Sequence, residues 1–123
     1  MSTKYCNPAA IDLALGYIAQ ADKQYACSQY PTSYADVLTY SLASVDLAAG
    51  AFSITDGVVS GRRLTIAEHK GVSVLVNGQA NFVVLVHTAS DQLLYVTTSD
   101  PQGLTTGSYV DFPEWSIEIE NPS

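Results

Sequence analysis

Basic residues are scarce in this chain. Five Lys and Arg stand against twelve Asp and Glu, a formal net charge of −7 over 123 residues. A nucleic-acid partner needs a Lys/Arg footprint that releases counterions from phosphates. Arg62-Arg63 is the only basic pair, so no direct contact with nucleic acid is expected. Charge of either sign is low, at 14%, where a soluble domain carries about 25%. A disordered chain needs many charged and polar groups to stay solvated, so disorder is excluded. Low charge also predicts apolar surface covered by neighbours, hence a homo-oligomer. No run reaches the ~20 apolar residues of a membrane helix, and the start MSTKYCNPAA holds no apolar stretch of signal-peptide length. Cytoplasmic synthesis and no membrane partner are the resulting expectations. Only two cysteines occur, Cys6 and Cys27. Without a matching His pair they make no zinc site. A reducing cytoplasm keeps them free and an oxidising medium lets them pair, so both states stay open.

Catalytic motifs are missing too: there is no GxSxG, P-loop, HExxH or CxxC. His69 sits beside Glu68 and Lys70 before Gly71, as an exposed turn histidine would. His87 closes an apolar run and lacks a neighbouring thiol or carboxylate, apart from Asp91, which turn formation explains. Asp100 and Asp111 lack the compact spacing of a calcium loop. Glu118 and Glu120 share a strand face about 6–7 Å apart, a spacing seen in glycosidases, but such pairs flank a cleft in a larger scaffold. No catalytic, cofactor-binding or metal-ligating residue is therefore assigned.

What is present is a pattern of short strands. The length suits one domain. Asn7-Pro8 reads as a helix cap followed by Pro at the first helical position. Ile11, Leu15 and Ile18 recur at helical spacing, with an end near 21–22. Residues 34–47 fit a turn of helix leading into a strand. Strands are expected at 51–55, 63–67 and 72–76, then at 82–86 and 93–98 around a polar turn, and at 109–112. Asp56-Gly57, Ser60-Gly61, Lys70-Gly71 and above all Asn77-Gly78 read as turns. Trp115, Ile117 and Ile119 alternate with Glu114, Ser116, Glu118 and Glu120, predicting a final strand with an acidic outer face. The fold class expected is mainly β: an antiparallel β-sandwich or small barrel with a short N-terminal helix. Residues 1–33 are read as a helix and arm, and 34–123 as the sandwich domain.

Six of the eight tyrosines fall before residue 41. Tyrosine offers a stiff contact surface with a polar tip and is enriched at interfaces. The helix either packs on its own domain or docks on a neighbour. Interface candidates are accordingly Tyr5, Ile11, Leu15, Tyr17, Ile18, Tyr25, Tyr30 and Tyr34.

Four stretches add a family likeness: 53–66, with Asp56-Gly57 and Ser60-Gly61-Arg62; 78–86, with Gly78 and Ala80; 93–98, with Leu93-Leu94-Tyr95-Val96; and 107–117, with Gly107, Val110 and Pro113. Their order resembles that of small virion structural proteins of tailed bacteriophages. The likeness covers about residues 50–120, with an echo in Cys6-Asn7-Pro8. It implies a β-sandwich subunit that decorates a capsid, as a cement protein does, or belongs to a tail or head fibre. The partners implied are phage coat protein or other virion subunits, and the location is the virion after synthesis in the host cytoplasm. The alternative is a tail or fibre component that binds a host surface or carbohydrate. Trp115, the only tryptophan, alternates inward and so counts against that alternative.

Overall fold

A computed structural model describes residues 7–57 and 61–119. Helix α1 (Pro8–Ile18) starts as its sequence dictates. The Asn7 side chain accepts from the Ala9 N–H at 2.9 Å, and Pro8 follows where an N–H would have no intrahelical partner. The helix stops at Ile18, short of the expected 21–22, and the chain passes into β1 (Lys23–Cys27). Helix α2 (Tyr34–Tyr40) is capped by Ser33, whose Oγ accepts from Asp36 N, and runs straight into β2 (Ser41–Asp46). One 3-10 turn later come β3 (Phe52–Asp56), β4 (Arg62–Ile66), β5 (His69–Ser73), β6 (Gly78–His87), β7 (Gln92–Leu104), β8 (Tyr109–Phe112) and β9 (Trp115–Ile119).

All strand pairing is antiparallel. A four-stranded sheet runs β2-β1-β6-β7, a three-stranded sheet β3-β4-β9, and β5 and β8 form a third. The first sheet is one layer; the two smaller sheets make a divided second layer. One core cluster, with Ala26, Ala43, Val72, Val110 and Phe112, joins the four-stranded sheet to β5–β8. Another, with Ile11, Leu15, Leu64, Ile66, Leu85 and Ile117, joins it to α1 and β3-β4-β9. A third lies on its opposite face, where Tyr25, Cys27, Val84 and Val86 meet Val37 of α2. The mainly-β, sandwich-type expectation and the short N-terminal helix hold.

Three readings need correction. Residues 23–27 are no arm, because β1 lies between β2 and β6 in the middle of its sheet. No structural break falls at 33/34. Both faces of β1 are covered, so Gln24 to Cys27 are all buried and no apolar–polar alternation marks the strand. Asn77-Gly78 is not a hairpin turn either. β5 pairs with β8, whereas β6 pairs with β1 and β7, so these residues carry the chain between layers. Asn77 Oδ1 accepts from Thr106 N, and a Cβ on Gly78 would stand 2.9 Å from Leu42 Cδ2. Close packing, not turn geometry, calls for glycine there. Lys70-Gly71 lies inside β5 as an irregularity between His69 and Val72, with Gly71 at φ +68°.

Cys27 is a buried free thiol, its sulfur 3.9 Å from the Val37 carbonyl, and burial pushes its pKa up to about 12. Its suggested partner Cys6 lies outside the described residues. In a Cys6→Ser chain, Cys27 should ignore Ellman's reagent at mildly alkaline pH until the protein is unfolded; prompt native labelling would contradict this burial. Leu15 is fully enclosed by its own domain. Leu15→Ala should cost about 3 kcal/mol in urea unfolding of the isolated chain, and a loss below about 1 kcal/mol would place that side chain elsewhere.

Candidate interaction surfaces

The hairpin between β6 and β7 carries His87, and the structure gives it a local role. One turn of 3-10 helix (Thr88–Ser90) and Asp91 at φ 52° reverse the chain. His87 Nδ1 lies 2.6 Å from Ser90 Oγ across that turn. Asp22, which the sequence did not single out, holds the turn to the start of β1. Its two oxygens accept from the Thr88 N–H at 2.9 Å and the Thr88 hydroxyl at 2.7 Å. Burial alone would raise the Asp22 pKa, but the Thr88 bonds and the nearby His87 imidazole outweigh it and hold the carboxyl below its ordinary value. The carboxylate is thus committed to Thr88 rather than to the imidazole, and the Ser–His contact is part of the turn. His69 rests with Nδ1 3.0 Å from the Ala67 carbonyl. Among the described residues, no three His, Cys, Asp or Glu side chains converge as metal ligands, and no helix is long and apolar enough to cross a membrane.

The interface candidates separate by burial. Ile11, Leu15 and Tyr25 face the chain's own core at 5% exposure or less, which leaves them no surface to offer a neighbour. Ile18 and Tyr34 are half-buried against the same domain. Tyr17 and Tyr30 are exposed: the Tyr17 hydroxyl donates to Gln92 Oε1 at 2.9 Å, and Tyr30 meets the Phe82 ring edge-on at 5.7 Å. Tyr5 lies outside the described residues.

Larger apolar side chains stand in solvent where the sequence did not mark them. Leu13, 77% exposed, precedes Tyr17 by four residues, so the two form an outer stripe on α1. Leu75 and Val76 follow β5, and Tyr109 begins β8 opposite Ser73. The Val74 N–H donates to the Ser108 carbonyl at 3.0 Å, which gathers Leu75, Val76 and Tyr109 at one end of the small sheet. The exposure of Leu75 was legible in principle, since alternation from the buried Val72 and Val74 puts Ser73 and Leu75 on the outer phase. Of the basic pair, Arg62 is engaged within the molecule. Arg62 bridges Asp12 of α1 at 2.8 Å and Asp56 of β3 at 2.6 Å, while the ladder sets Arg63 opposite Glu118. Of the final strand, Ile117 is buried while Trp115 and Ile119 are half-buried; Glu120 lies outside the described residues.

Asp22 yields a test with a definite sign. Its folded pKa is depressed, so its stabilisation is complete above the unfolded value of about 4. That contribution fades as pH falls through the lower folded value. Asp22→Asn should cost about 1 kcal/mol near neutral pH, and its deficit against the parent should shrink in acid; a deficit constant with pH would contradict the assignment. Comparison with known proteins finds no matching family model, no matching curated protein and no matching solved structure.

Proposed function

We propose that the chain is a virion structural protein of a tailed phage, acting as a capsid decoration subunit that binds neighbouring coat proteins and further copies of itself. The observation that carries this reading is the exposure of large apolar side chains in two separate places, Leu13 with Tyr17 on α1 and Leu75, Val76 and Tyr109 beside β5 and β8. Covering one such side chain contributes about 1.5–3 kcal/mol. Patches on two different elements let one rigid subunit touch two neighbours. The low charge of the chain fits a surface partly covered in an assembly, and the net charge of −7 keeps finished particles apart by like-charge repulsion. The strand-and-turn likeness to phage virion proteins points the same way. A tail or fibre position is the second reading; it draws support from Trp115, which is half-buried rather than sealed.

Electron cryomicroscopy of particles purified from cells making the chain tests the proposal. Density for regularly spaced copies should accommodate the divided sandwich. Leu13→Glu with Tyr109→Glu should leave the melting temperature close to the parent's and lower particle occupancy at least about tenfold, the equivalent of 1.4 kcal/mol. Particles without density that fits the chain would contradict it.

A further inference from the structure

The second layer is divided, and the division opens a cleft. β8 ends at Phe112, Pro113 and Glu114 carry the chain to the other small sheet, and β9 begins at Trp115. Facing that corner are β6 and β7. The cavity between them has a volume of ≈ 330 Å³ and is lined by Gln24, Thr97, Ser99, Phe112, Pro113 and Trp115, among others. An adjoining hollow of ≈ 220 Å³ shares Ser99, Phe112 and Pro113 and adds Asp100 and Asp111.

Gln24 forms part of the lining. It is fully buried, the one buried polar side chain of the described core, and its ladder neighbours are the apolar Val45 and Leu85. The Trp115 indole N–H donates to Gln24 Oε1 at 3.3 Å. An indole nitrogen only donates, so this bond fixes which end of the amide is oxygen. The other end, Nε2, carries two N–H groups and has no hydrogen-bond partner among the described residues. A buried donor left unpaired is destabilising, and leucine would fill the same volume without that penalty. An amide in this place calls for an acceptor.

The walls define the acceptor's chemistry. Trp115 and Pro113 give an apolar side over the buried Phe112, with Tyr95 behind the indole at 6.0 Å between ring centres. Thr97 and Ser99, on one face of β7, give hydroxyls that both donate and accept. No Lys, Arg or His lines either hollow, and the second holds two carboxylates, which disfavours an anion. A ring with one apolar face and several neutral hydroxyls matches both walls.

We propose that this cleft binds a neutral sugar unit, its apolar face against Trp115 and Pro113 and its hydroxyl oxygens accepting from Gln24 Nε2, Thr97 and Ser99. Gln24 Nε2 is covered in this structure, so that bond forms as the half-buried Trp115 ring shifts. The inference does not rest on the particle role.

Trp115 is the only tryptophan, so its emission reports on the cleft alone. The isolated chain is titrated with glucose, galactose, mannose and N-acetylglucosamine. At least one should change the emission saturably with a millimolar Kd and shift the backbone amides of residues 97–99 and 115–116 in NMR spectra. Gln24→Leu should weaken that binding at least about tenfold. Thr97→Val, isosteric and at a partly exposed position, should weaken it severalfold and decides the matter should Gln24→Leu fail to fold. No saturable response from any of the four sugars, or equal affinity in a folded Gln24→Leu or Thr97→Val chain, would overturn the proposal. A negative titration removes the sugar site and leaves the assembly reading to its own test.

Discussion

Double-sided burial of β1 is the constraint on which the rest of the structure depends. Five residues lie between β2 and β6, and the last four are buried. Gln24 and Ala26 face the divided layer; Tyr25 and Cys27 face α2. A strand in this position must have both faces covered, because its apolar groups otherwise meet water on one side. Each remaining element follows from that demand. α2 is short but closes one face with Val37, which is fully buried. α1 and the small sheets close the other. Asp22 and Leu47 fix the edges of the strand: Asp22 N donates to the Val86 carbonyl, and Leu47 N donates to the Asp22 carbonyl.

A divided second layer is the consequence for function. One unbroken sheet over the same face would leave no gap beside β7. Here Pro113 cannot donate to a ladder, so the chain leaves β8 and re-enters as β9 in another sheet. Gln24 lies between the two core clusters where they part, bonded to the Trp115 indole. The geometry therefore sets a polar amide and an aromatic ring beside a cleft. None of the exposed large apolar side chains, Leu13 and Tyr17 on α1, Tyr30 and Leu38 at α2, and Leu75, Val76 and Tyr109 at the end of β5–β8, lines it. The residues of the proposed assembly contacts and those of the proposed cleft are therefore different ones.

Strands wet on one face were legible in the sequence. In β9, Ile117 points inward while Ser116 is exposed, and in β4, Leu64 and Ile66 are buried while Thr65 faces outward. Their period of two survives because the outer face meets water. The helix at Asn7-Pro8 and the short helix into β2 were legible from capping chemistry and spacing. β1 was not, since burial of both faces erases alternation and Gln24 reads as polar surface. Asn77-Gly78 carries the chemistry of a hairpin turn, yet the glycine is there for Leu42. The surfaces were harder still. Helical spacing correctly grouped Ile11 with Leu15, but spacing alone does not say whether an apolar stripe faces its own domain or another. Leu13, on the opposite side of the helix from that stripe, is left in water with Tyr17. Trp115 does alternate inward, but the break at Pro113 leaves it at the rim of the cleft.

Native-state hydrogen exchange of the β1 amides is the most direct measurement of the central claim. The backbone N–H groups of residues 24–27 should exchange only through global unfolding, with protection equal to that of the β6 amides they pair beside. Protection several orders of magnitude below that of β6 would mean that this segment opens by itself, as an arm would, and the account of the fold and of the cleft beside Gln24 would fail with it.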